Sequence, residues 1–139
     1  HGHNFLRTML RVGAEREELR VVADQVGTPT PAALIADVTA HAVREVKRQG
    51  QRGGTYHLAA SGFTTWFSYA KHVLAQAGQA QAAIKIKATE VSPIATSQYP
   101  TPARRPHNSR LDCRRLQDAF GLTLPPWQHG VNRLLAEIL

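Results

Sequence analysis

The stretch Ala103-Arg-Arg-Pro-His-Asn-Ser-Arg-Leu-Asp112 gathers the side chains of this sequence best suited to chemistry. Arg104, Arg105 and Arg110 offer planar guanidinium forks that match pairs of phosphate oxygens. Asn108 and Ser109 add further hydrogen-bond donors. Tyr99-Pro-Thr-Pro102 leads into the stretch, so Pro100, Pro102 and Pro106 stiffen it and bias the residues before them toward extended backbone. Donors held in a rigid loop at low entropic cost point to a diphosphate-bearing ligand. A merely solvated basic loop is the competing reading. His107, in the same loop, is one more candidate contact.

Other chemistry is scarce. The sequence has no G-x-S-x-G, no P-loop, no H-E-x-x-H and no G-x-G-x-x-G. Tyr56, Tyr69 and Tyr99 are followed four residues later by Ala60, Val73 and Ala103, so the Tyr/Lys pair of short-chain hydride-transfer enzymes is missing. This polypeptide by itself is therefore expected to catalyse nothing. Cys113 is either a thiolate activated by Arg110, Arg114 and Arg115 or a small core residue on the inner face of a helix. Trp66 and Trp127 sit on apolar stripes and are expected in the core, with stacking on a base or sugar as the alternative. Asn4 is read as a helix N-cap or as a ligand contact at a cleft mouth. Gln25, at the carboxyl end of a strand where α/β folds bind ligands, is read as a contact or as a turn-stabilising group. The seven histidines are scattered without metal-ligand spacing, so no metal is expected.

The totals fit one globular domain, with 42% hydrophobic and 19% charged residues over 139 positions. No apolar run approaches the roughly 18 residues that suggest a membrane span. The single cysteine excludes an internal disulfide and fits a reducing, cytoplasmic setting. A net charge of +7 and a pI near 10.3 favour an anionic partner. Most bases are dispersed, however, and several stand beside Glu15, Glu17, Glu18 and Glu45. That pattern argues against a nucleic-acid module. The chain also enters a helical pattern at once from His1, as the inside of a longer protein would.

The elements that must position these residues follow from periodicity. A helix is expected over 5–17 behind Asn4, then a short buried strand over 19–23. Residues 24–30 read as a turn, with Thr30 capping and Pro31 opening a helix over 31–49. Its apolar stripe is Ile35, Val38, Ala42 and Val46, while Asp37, His41, Arg44, Glu45 and Arg48 face water. A second strand is expected at 55–60, then a helix capped by Thr64 or Thr65 with Trp66, Ala70, Val73 and Ala77 on one side. A soft connector at 78–83 precedes a third strand over 84–91. After the basic loop, Asp112 caps a short helix that turns Cys113, Leu116 and Phe120 inward and stops at Gly121. Pro125-Pro-Trp127 opens the last helix. The expected order is α-β-α-β-α-β-α-α, with a strand–turn–helix of the parallel-sheet type. Residues 1–52 form a helix–strand–helix with little sheet to join, and 53–139 form a small α/β lobe.

Four segments resemble the C-terminal half of the dTDP-4-dehydrorhamnose reductase family, a branch of the extended short-chain dehydrogenases/reductases. They are His3-Asn-Phe-Leu-Arg-Thr-Met-Leu10, Val22-Ala-Asp-Gln-Val-Gly-Thr-Pro-Thr30, Gly54-Thr-Tyr-His-Leu-Ala-Ala-Ser-Gly62 and Tyr99-Pro-Thr-Pro-Ala-Arg-Arg-Pro-His-Asn-Ser-Arg-Leu111. Leu124-Pro-Pro-Trp127 before a helix also matches. The resemblance implies an α/β chain, the C-terminal lobe of a two-lobe nucleotide-sugar reductase whose N-terminal Rossmann lobe is absent here. Residues 1–52 would then pack on that lobe's sheet. It implies that NADPH (or NADH) and the catalytic Tyr/Lys belong to the absent lobe, and that no cofactor is expected in this chain. The implied parent reaction is hydride delivery to C4 of dTDP-4-dehydro-L-rhamnose, giving dTDP-L-rhamnose. It also implies that Arg105, with Arg104 beside it, neutralises the diphosphate, and that Asn108, Ser109, Asn4 and Gln25 are weaker substrate contacts. Expected partners are a dTDP-sugar, neither nucleic acid nor membrane, and a second copy through dimerisation or domain swapping. A non-catalytic regulatory relative of the same family is the alternative.

Overall fold

The computed structural model describes residues 4–50, 53–80 and 84–139. Its helices are α1 (Phe5–Glu15), α2 (Ala32–Gln49), α3 (Trp66–Gln79), α4 (Arg114–Phe120) and α5 (Trp127–Ile138). The strands are β1 (Glu18–Val22), β2 (Val26–Gly27), β3 (Thr64–Thr65) and β4 (Glu90–Ile94), with a 3-10 turn at Thr96–Gln98. This is the α/β chain of helices and few short strands that the sequence implies. The chain forms two compact units: residues 1–27, 64–109 and 132–139 make the first, and 28–63 with 110–131 the second. The chain leaves the first unit after Gly27 and returns to it at Thr64, and residues 51–52, beside the boundary expected at 52–53, lie outside the described residues.

In the first unit, Asn4 starts α1 by accepting the Arg7 N–H on its side-chain oxygen at 2.8 Å. Leu6, Met9, Leu10 and Gly13 turn inward. Gly13 admits α3 closely, since a Cβ there would overlap the Leu74 side chain. Thr65 caps α3 by accepting the Ser68 N–H at 3.1 Å, and Tyr69, Ala70, Val73, Leu74 and Ala77 are buried. β1 runs parallel to β4, with Glu18 opposite Glu90 and Val22 opposite Ile94. The strand expected at 19–23 thus finds its partner within the chain, contrary to the expectation of little sheet to join. The expected strand 84–91 forms only from Glu90 onward. Before it, the N–H groups of Lys87 and Ala88 both donate to the Gly13 carbonyl, and that of Thr89 donates to Glu17, so no ladder is left to build. The connector expected from residue 78 also begins later, since α3 runs to Gln79; residues 81–83 of it lie outside the described residues.

In the second unit a core forms from Val38, Ala59, Cys113, Leu116, Phe120 and Leu124, with Tyr56 edge-on to Phe120 at 5.2 Å. No strand forms at 55–60. There the Ala59 N–H donates to Cys113 Sγ at 3.2 Å, Ala60 to Thr30 Oγ1 at 3.1 Å and Ser61 to the Pro125 carbonyl at 2.8 Å. Thr30, spent on Ala60 and on the Thr28 carbonyl, does not cap α2.

The face of α2 is rotated from the expected one. Val38 and Glu45 are buried, Leu34 and Ala42 pack on the core, and Ile35 and Val46 are exposed. Recruitment of Leu34 shifts the inward row by part of a turn and brings two groups in that were expected in water. His41 Nε2 lies 3.0 Å from the Phe120 carbonyl. Glu45 accepts from Arg48 at 3.2 Å and Gln49 at 3.0 Å, so the buried carboxylate is satisfied. Gly121 ends α4 at φ 60°, the left-handed geometry a glycine adopts without strain.

Candidate functional site

The basic loop of the first unit is fixed to a small ribbon by its backbone. Val26 donates its N–H to the His107 carbonyl at 2.8 Å, and its own carbonyl accepts from Ser109 N at 2.9 Å. On its other side Val26 pairs with Thr65. Residues 107–109 therefore run alongside β2 as an added edge, with Asn108 bridged to Val26. Ser109 Oγ also donates to the Val26 carbonyl at 3.1 Å. A Cβ at Gly27 would stand 2.7 Å from that Oγ, so the glycine gives the loop room to close.

Asp24 and Thr96 hold the loop's beginning. Both Asp24 carboxylate oxygens accept the Thr96 N–H at 3.0 Å, and the Thr96 hydroxyl donates to Oδ1 at 2.6 Å. The hydroxyl bond, then the backbone bond, hold the Asp24 carboxyl below its usual range. His107 Nδ1 approaches the Asp24 carbonyl at 2.9 Å and its carboxylate at 3.8 Å. Gln25 uses both ends of its amide: Nε2 donates to Thr96 Oγ1 and Oε1 accepts the Trp66 indole N–H, each at 3.1 Å. Trp66 packs against Phe5 at 4.7 Å, and Phe5 against Tyr69 at 5.1 Å. Burial pushes the Tyr69 hydroxyl up to about 12. Trp66 keeps 42% of its surface exposed, a departure from the expected core position, because its indole is turned to reach Gln25. Trp127, by contrast, is buried as expected.

The sequence-derived site residues therefore fall into groups. Gln25, Asn108 and Ser109 meet around β2. Arg104 and Arg105 precede them on the same loop, exposed, with no hydrogen bond or ion pair to another described residue. Asn4 stands exposed at the head of α1, its side-chain oxygen occupied as the N-cap. Asp24 and Thr96 are not among the sequence-derived candidates, and Trp66 is there only as a core residue with stacking on a base or sugar as the alternative. Asp24 carried a signal in its place beside Gln25, whereas Thr96 carried none, since its role arises only when β4 is set beside β1.

The second unit uses its bases differently. Arg110 lies over the Phe63 ring at 4.9 Å and Arg115 over Tyr56 at 4.9 Å. Arg114 grips Asp112, whose carboxylate also accepts the Arg114 N–H at the start of α4. The side-chain bond from Arg114 draws the Asp112 carboxyl down to about 2. Cys113 is a buried core residue whose sulfur accepts from Ala59. Among the described residues, no cluster of three His, Cys, Asp or Glu side chains is arranged for a metal ion. No helix among them is long and apolar enough to cross a membrane.

Comparison with known proteins places these features in a family context. Residues 1–139 match the family model described as the RmlD substrate binding domain. The chain is 50% identical over 137 residues to a dTDP-4-dehydrorhamnose reductase of Escherichia coli, covering 99% of this chain and 45% of that protein. It is 43% identical over 142 residues to that of Burkholderia thailandensis, covering 99% of this chain and 48% of that one. Among solved structures, a dTDP-4-dehydrorhamnose reductase from Clostridium acetobutylicum superposes with a TM-score of 0.85 at 30% identity. The Bacillus anthracis reductase in complex with NADP gives 0.83 at 33% identity. Each covers 99% of this chain and 44% of the solved one. The chain thus spans about half the length of the relatives it matches.

Proposed function

The chain belongs to the RmlD substrate binding domain family, and from that premise we propose that it is the nucleotide-sugar-binding part of an NADPH-dependent reductase. The reaction is conversion of dTDP-4-dehydro-L-rhamnose to dTDP-L-rhamnose. The observation that carries this reading is the pair Arg104 and Arg105, exposed and uncommitted on a loop whose far end is hydrogen-bonded to β2. A diphosphate presents oxygens that two guanidinium forks satisfy. NADPH, held by the other lobe of such an enzyme, supplies the hydride that C4 of the sugar accepts. This chain's part is to hold the diphosphate so that the sugar is presented in one orientation, which is where binding energy lowers a barrier. Asn108 and Ser109 are secondary groups of the same loop, Gln25 acts on it from β2's side through its own protein partners, and Asn4 is a weaker candidate at the head of α1. Dependence on NADPH fits a cytoplasmic enzyme.

A chimera tests the activity. This chain replaces the matching part of the Escherichia coli reductase, and NADPH oxidation is followed with dTDP-4-dehydro-L-rhamnose. Turnover that saturates with the sugar nucleotide is expected. A folded, NADPH-binding chimera that does not oxidise NADPH with this substrate would overturn the reading.

Self-association belongs to the same reading. Ile35, Val43 and Val46 leave an apolar strip exposed on α2, and such surface seeks a partner. Light scattering of the chain at high concentration is expected to show dimers or larger species; a monodisperse monomer contradicts this.

A further inference from the structure

We propose that Asp24, Gln25 and Thr96 are positioning residues, a polar relay that sets the basic loop in register and ties it to the aromatic cluster of α1 and α3. The inference rests on the reading of that loop as the diphosphate site. Thr96 is the junction. Its hydroxyl has one proton, which goes to Asp24 Oδ1 at 2.6 Å, and its oxygen accepts from Gln25 Nε2 at 3.1 Å. Gln25 passes the constraint on through Oε1 to the Trp66 indole N–H. Asp24 passes it the other way: its carbonyl meets His107 Nδ1 at 2.9 Å, and the next backbone bond to His107 comes from Val26.

The loop that carries Arg104 and Arg105 is therefore held before its start, at Thr96, and at its end, at 107–109, by adjacent residues of one short segment, 24–26. Between those anchors its residues are exposed. The aim of the two guanidinium groups then depends on where 24–26 sits, and 24–26 is steadied by Trp66. Gln25 does this with both ends of its amide turned to protein partners, so its effect on a ligand is exerted through the loop. The aromatic cluster supplies the rigid end of the relay, since Trp66 is packed against Phe5 and Phe5 against Tyr69.

The chain has two tryptophans and hence two indole N–H signals in an NMR spectrum. Trp66→Phe identifies the one that reports on the relay, and the Trp127 signal serves as a control for folding. Thr96→Val keeps the shape and removes both hydroxyl bonds. It is expected to shift the Trp66 indole signal through Gln25, and to weaken dTDP binding roughly 2- to 10-fold, less than the direct loss of a charged hydrogen bond because the relay acts on the ligand only through the loop. Thr96→Ser restores both readouts. Asp24→Asn, which weakens the same junction from its other side, shifts the indole signal in the same direction. An unmoved Trp66 signal in Thr96→Val, or a Thr96→Ser variant that restores neither readout, overturns the inference. Wild-type binding of dTDP with an affinity indifferent to Thr96→Val also overturns it while leaving the proposed function standing. A wild-type chain that binds no dTDP overturns both.

Discussion

Arg105→Ala is expected to weaken binding of dTDP roughly 10- to 100-fold. A hydrogen bond to a charged group contributes about 1.5–3 kcal/mol, and among the described residues Arg105 has no ion pair that would offset its loss. Its exposure also means that removing it leaves no buried partner stranded, so the fold should keep its stability and the change should appear in affinity alone. Arg105→Lys retains the charge and loses the fork, and should fall between wild type and alanine. Because the site faces solvent, raising the ionic strength should erode the difference between wild type and Arg105→Ala. Calorimetric titration at two salt concentrations measures all of this. An Arg105→Ala affinity equal to that of wild type would remove Arg105 from the site.

Phe120→Ala is expected to cost about 3–5 kcal/mol of stability, the range for deleting a buried ring. Phe120 is 6% exposed and closes α4 onto Val38, Leu116 and Leu124, with Tyr56 against its edge. The cavity would open between α2 and the segment 56–59, neither of which has sheet hydrogen bonds to hold it. Total stability of a domain is about 5–15 kcal/mol, so the loss is a large share of it. Urea unfolding followed at the second unit should show a lower midpoint with little change in slope. A loss below about 1 kcal/mol would mean that this cluster does not organise the unit.

The helices were legible because their signals are local. Asn4 and Thr65 as caps, Gly121 as a stop and the row Ala70, Val73, Ala77 each declare themselves within a turn of chain. The strands were less legible. The stretch 55–60 has a strand's composition, but its donors are taken by Cys113, Thr30 and Pro125, partners that lie far along the chain. β2 and β3 are two residues each, too short for any alternation to show. The sequence places the inward face of α2 one row off because Ile35 and Val46 look like core from spacing alone, while Glu45, buried with Arg48 and Gln49 as its donors, does not.

The same contrast holds at the site. The arginines, Asn108 and Ser109 stand out as a cluster in sequence, and Gln25 by its place after a strand. Thr96 is an ordinary threonine until the parallel pairing of β1 with β4 brings it to Asp24. Trp66 looked like core because its helix is amphipathic, and only its bond to Gln25 explains why it faces out.

The most direct measurement is a titration of the chain with dTDP, followed amide by amide in NMR. The account predicts saturable shifts concentrated at residues 24–27 and 103–110 and much reduced in Arg105→Ala. Shifts confined to other surfaces, or none at millimolar ligand, would contradict the claim that this loop binds the diphosphate.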